Sequence, residues 1–142
     1  MKKTVTAMIT VLLAILLCGC AALFGTDTKN TKIDLGASEI YTSSELQNAA
    51  DHILAEFRSW ESVEEVYTLT YCGDEKAADN LEYCNQLNEK EYDQCVVFES
   101  AFLTSGSAES EGFEANSRYD GWEWYLARAN GGEWEILTCG YA

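Results

Sequence analysis

Residues 42–60 read Thr-Ser-Ser-Glu-Leu-Gln-Asn-Ala-Ala-Asp-His-Ile-Leu-Ala-Glu-Phe-Arg-Ser-Trp. Thr42 followed by Glu45 three places later is a capping box: the threonine oxygen accepts from the N3 amide while the glutamate reaches back to the N-cap amide. Tyr41 and Leu46 stand where a hydrophobic staple closes over such a start. Leu46, Ala49, Ala50, Ile53, Leu54 and Phe57 then recur at helical spacing and occupy about two fifths of the helix circumference. A stripe of that width must be buried against another layer, so the rest of the chain has to supply a partner surface.

Downstream, Val66, Thr68 and Thr70 alternate with Tyr67, Leu69 and Tyr71, a β-branched and aromatic mix that predicts a strand from Val63 to Cys72. Gly73 breaks it. Asp74 is then placed to cap a second helix carrying Ala77, Ala78, Leu81, Cys84 and Leu87. QCVVFESAFLT at residues 94–104 predicts another strand, and residues 105–121, rich in glycine, serine and glutamate, predict a loop or hairpin arm. Trp122, Trp124 and Leu126 alternate with Glu123, Tyr125 and Ala127. Asn130-Gly131-Gly132 supplies the positive-φ residues of a tight turn, and a last strand returns from Glu133 to Tyr141. The expected class is α+β: an antiparallel sheet of about four strands packed on the long first helix, with Trp122 and Trp124 on the face beneath it. The expected domain covers residues 41–142.

Upstream, Lys2 and Lys3 precede an apolar run, residues 7–17, that is too short for a stable membrane span and predicts an export signal. It ends in Leu17-Cys18-Gly19-Cys20, which resembles a bacterial lipobox. Cys20 takes the lipidated +1 position because Gly19 is small, whereas Leu17 would be a poor residue before Cys18. The expected division is a lipoprotein signal peptide at 1–19, then the lipidated Cys20 and a flexible tether to residue 40. That puts the protein on the extracytoplasmic face of the cell membrane, touching it through the lipid anchor only.

Net charge is −15, and removing Lys2 and Lys3 with the leader takes it to −17. A phosphate backbone or anionic membrane surface would repel such a chain, so nucleic acid is excluded as a partner. With 47% hydrophobic and 12% aromatic residues the chain is too apolar to remain an acidic disordered segment. No proline occurs, which excludes PxxP ligands and proline-rich linkers.

The capped helix, the hairpin sheet and the ending formed by Trp122, Trp124, Asn130, Gly131, Gly132, Trp134, Gly140 and Tyr141 resemble small exported lipoproteins of a Firmicutes family of unknown function. The shape also resembles the cystatin-like, nuclear-transport-factor-2-like roll, in which a sheet curls around a helix with room for a conical pocket. The resemblance brings no catalytic residue with it.

With Cys18 cleaved and Cys20 acylated, Cys72, Cys84, Cys95 and Cys139 remain, an even set that in an exported domain predicts two disulfides with three connectivities open. The expected pairing is Cys84 with Cys95 and Cys72 with Cys139. Zinc is not expected, since no CxxC pair occurs and the one histidine, His52, is remote in sequence. His52 falls on the polar side of the first helix near Glu56, in solvent. The loop bearing Glu109, Glu111, Glu114 and Asp120 lacks the DxDxDG order of a calcium loop. GxSxG, GxGxxG, P-loop and HExxH patterns are absent, so no catalytic residue, metal ligand or cofactor is assigned. The expected function is noncatalytic binding of a small molecule, peptide or envelope protein at the cell surface. The alternative is a small isomerase or dehydratase on the roll, which requires a histidine or carboxylate aimed into the cone.

Overall fold

A computed structural model describes residues 25–142. The leader and Cys20 lie outside the described residues. Five strands, β1 (Lys32–Asp34), β2 (Val63–Tyr71), β3 (Gln94–Thr104), β4 (Arg118–Arg128) and β5 (Glu135–Gly140), form one sheet in sequence order. β1 runs parallel to β2, and the other neighbours are antiparallel. The helices are α1 (Ser43–Arg58), α2 (Asp74–Asp79) and α3 (Leu81–Asn88).

This corrects the expected architecture while keeping its α+β class. The sheet is mixed and has five strands rather than about four antiparallel ones. No long helix opens the fold: α1 has 16 residues, follows β1, and serves as the crossover that a parallel β1–β2 pair requires. The cystatin-like roll does not stand on this topology.

α1 begins as its sequence dictates. Thr42 Oγ1 accepts from the Glu45 amide at 3.2 Å and Glu45 Oε2 accepts from the Thr42 amide at 2.8 Å, completing the box. Its six apolar positions are all buried, against Val66, Leu69, Val96, Phe98, Phe102, Trp124 and Leu126 of the sheet. β3 explains how the sheet has two buried faces. Val96 and Phe98 face α1, while Cys95 and Val97 face a second cluster closed by Cys84 of α3 and by Tyr92. In β2 the register slips between Val66 and Thr68, so Val66 joins Leu69 and Tyr71 on the α1 face and simple alternation fails there. In the β4–β5 turn Asn130 and Gly131 take the expected positive φ, 54° and 66°.

The expected second helix is two. Asn80, at φ −102° and ψ 1°, breaks the run between α2 and α3. Gly73 holds the N-cap position, while the Asp74 carboxylate accepts from Ser38 Oγ at 2.6 Å, Glu39 N at 2.8 Å and Tyr71 OH at 2.9 Å.

The expected flexible tether is also corrected from Gly25 onward. Thr26, 6% exposed, places Oγ1 2.6, 2.9 and 3.1 Å from the carbonyl oxygens of Phe57, Val63 and Trp60. Asp27 donates to Glu64 O at 2.8 Å and accepts from Val66 N at 3.0 Å. The chain therefore enters the fold at Thr26, and residues that lack any sequence periodicity are held by the Thr26 hydroxyl and by backbone bonds that ignore side-chain identity. Among the described residues, no helix is long and apolar enough to cross a membrane.

Candidate functional site

Where α1 ends, Arg58, Ser59, Trp60, Glu61, Val63 and Glu64 turn into β2 and, with Gly25, Ser105 and Ser107, line an open cleft of 610 Å³. That volume suits a small ligand. Trp60 gives it a firm apolar wall: the indole stacks on Trp124 at 5.3 Å and meets Phe57 edge-on at 5.3 Å, while Nε1 donates to Glu56 at 3.2 Å. Ser105 braces the opposite wall, its amide donating to Ser62 O and its hydroxyl to Glu61 O, both at 2.8 Å. Behind the cleft Ser62 is 1% exposed and its hydroxyl has no hydrogen-bond partner among the described residues. Arg58 Nε donates to Thr28 Oγ1 at 3.0 Å, so the cleft offers one guanidinium, two carboxylates and several hydroxyls. The carbonyl end of α1 adds partial negative charge.

Beyond the reach of α1, half-buried Phe113, Tyr119 and Trp122 continue the aromatic surface from Phe102 to the exposed Tyr141. Trp124 is fully buried beneath α1 as its periodicity implied, with Nε1 donating to Ser100 Oγ at 3.0 Å. Trp122 belongs instead to this uncovered end.

A smaller cleft of 370 Å³ lies on the other side, lined by Asn80, Tyr83, Tyr125, Thr138, Gly140 and Tyr141 among others. Next to Tyr125 is Glu123, 5% exposed, ion-paired with Lys76 and accepting from Tyr125 OH at 2.5 Å. Burial pushes the Glu123 carboxyl up, but Lys76 and Tyr125 outweigh it and hold the group below its ordinary value. Burial and the Glu123 carboxylate both push the Tyr125 phenol up. Nothing in the sequence marked Glu123 for burial except its place between Trp122 and Trp124.

The cysteines divide by face. Cys84 and Cys95 Sγ atoms lie 3.1 Å apart in the buried second cluster, in thiol contact rather than bonded. Cys72 packs on that same cluster, and Cys139 on the α1 side. Cys72 directly follows β2, and three inter-strand steps of about 4.8 Å separate that strand from β5, beyond the roughly 7 Å Cα limit for a disulfide. The expected Cys72–Cys139 pairing is thereby corrected. Burial pushes the Cys72 thiol up to about 11, partly opposed by Lys76. Burial also pushes Cys139 up, partly opposed by the Trp122 N–H.

His52 faces Glu133 at 3.3 Å on the surface rather than Glu56. Asp120, expected in the acidic loop, lies instead in β4, which already begins at Arg118, and is held by Arg118 at 2.9 Å; no group of three metal-ligating side chains occurs among the described residues. No protein family, curated protein or solved structure matches this chain.

Proposed function

We propose that the chain is a noncatalytic lipoprotein, exported by its leader and held by lipidated Cys20 at the outer face of the cell membrane, where its domain binds a small molecule or short peptide. The Trp60 cleft carries this reading. It has the volume of a small-ligand site, an indole wall braced by Phe57 and Trp124, and both signs of charge at its rim. Its edge includes Gly25, five residues after Cys20, a span of at most about 18 Å of extended chain. An anchored domain would therefore hold this cleft near the bilayer.

The test has two arms. Mass spectrometry of the membrane fraction should find a diacylglyceryl mass on a chain that begins at Cys20, and Cys20→Ser should release the protein; a water-soluble mature form beginning elsewhere overturns the anchor. A thermal-shift screen of short peptides and amino sugars against the extracted protein should give hits that Trp60→Ala removes, and hits indifferent to that change would move the site elsewhere.

A further inference from the structure

We infer that Cys84 and Cys95 close into the one disulfide of the described domain, a staple that ties α3 to β3 and fixes the wall of the smaller cleft, while Cys72 and Cys139 stay thiols. The proximity of the pair does not depend on sulfur. Asn85, the residue after Cys84, accepts from Tyr92 N at 2.6 Å and donates to Tyr92 O at 3.2 Å. Asn88 donates to Tyr92 OH at 3.1 Å, which fastens the last turn of α3 to the chain entering β3. On the far side, Tyr41 OH donates to Cys95 O at 2.8 Å and holds the strand in place. Two elements clamped from both sides thus present their thiols at 3.1 Å, about 1 Å beyond bond length, in a buried cluster that also contains Val97 and Ala127.

Closure removes two thiol protons and two electrons, which an external disulfide of the glutathione type accepts. One cysteine sulfur attacks that disulfide and expels a thiolate; the other attacks the mixed disulfide and expels the second, so two thiols leave as the bond forms. Cys84 is fully buried and Cys95 2% exposed, so exchange precedes the docking of α3 over the sheet. The bond reaches the smaller cleft through Tyr83, the neighbour of Cys84. Tyr83 packs edge-on against Tyr125 at 5.5 Å and lines the smaller cleft beside the Glu123–Lys76 pair. With the staple closed, that wall cannot swing from the sheet.

The inference rests on the export reading only for its oxidant. The test is differential alkylation of the full chain, before and after reduction, with each cysteine peptide read separately. In protein recovered from cells, Cys84 and Cys95 should be protected and linked, and Cys72 and Cys139 labelled. If all four are labelled, the export reading fails and the pairing is judged after unfolding the purified chain and refolding it with oxidised glutathione. There Cys84–Cys95 must be the dominant link; a dominant link to Cys72 or Cys139, or none, overturns the staple. Reduction should lower the melting temperature by roughly 10 °C, as expected for a loop this short in a domain this size. Asn85→Ala, which spares both sulfurs, should lower the fraction of correct link, and an unchanged fraction would overturn the role of the Asn85–Tyr92 clamp in bringing the thiols together.

Discussion

Trp124 shows how one side chain can organise a core. Its ring meets Phe57 at 4.8 Å and Trp60 at 5.3 Å, and its N–H is satisfied by Ser100 rather than by water. Removing it leaves a cavity under α1 and takes from Ser100 Oγ the donor it accepts from, although the hydroxyl keeps its own bond to Trp122 O. Trp124→Ala should therefore cost about 3 to 5 kcal/mol in denaturant unfolding, the range for large aromatic deletions in cores. A loss under about 1 kcal/mol would mean that the ring is at the surface. Both the burial of Trp124 and the α1 stripe were legible in the sequence, because each follows from periodicity within a single element. Glu123 was not legible: it alternates to the outward side of β4, and its burial depends on Lys76 arriving from α2, 47 positions away.

At the scale of elements, local signals held where local bonds decide and failed where the partner is remote. The capping box of α1 needs only Thr42 and Glu45, and it forms. β1 has three residues and one inward-leaning side chain, so nothing in Lys32-Ile33-Asp34 sets it apart from a linker. What fixes this segment is its backbone and Thr26, whose hydroxyl reaches carbonyls at the end of α1 and the start of β2. Thr26→Val keeps the shape and deletes the donor, leaving buried carbonyls short of a partner. It should destabilise the domain by about 1 to 3 kcal/mol and raise amide exchange at Asp27 and Val66, which pair next to it. No change in either would show that residues 25–34 are a tether after all.

Across the whole molecule, charge sets the response to pH and salt. Glu45, Asp74, Asp120 and Glu123 all have folded carboxyls held below their ordinary values, Glu45 at about 2 through the Thr42 amide, then Arg128 and the Thr42 hydroxyl. A depressed carboxyl contributes stability that is complete above its unfolded value, 4.5 for Glu45, and that is lost as pH falls toward the folded one. Lys76 and Lys90 are raised by their Glu123 and Glu135 partners, so their contribution is complete below their unfolded value of 10.5 and is lost above it. The melting temperature should therefore be highest between about pH 5 and 10 and fall on the acid side between about pH 4.5 and 2. A rise on acidification through that window would show that relief of the −15 self-repulsion outweighs the ion pairs. Exposed pairs such as Arg118–Asp120 add little to this curve, because water screens them.

The sequence by itself determined the elements whose signals are short-range: the capped helix and its buried stripe, the β4–β5 turn at Asn130-Gly131, the strands richest in apolar residues and the α+β class. Tertiary structure alone decided the rest. Parallel β1 is recruited by backbone hydrogen bonds that carry no sequence signal, and register slips in β2 put Val66 on the face that alternation denied it. The same holds for the cysteines. An even count raised the expectation of pairing, but which thiols meet depends on sheet order and face, and the strand ladder that brings Cys95 under Cys84 carries Cys72 and Cys139 to opposite sides of the sheet.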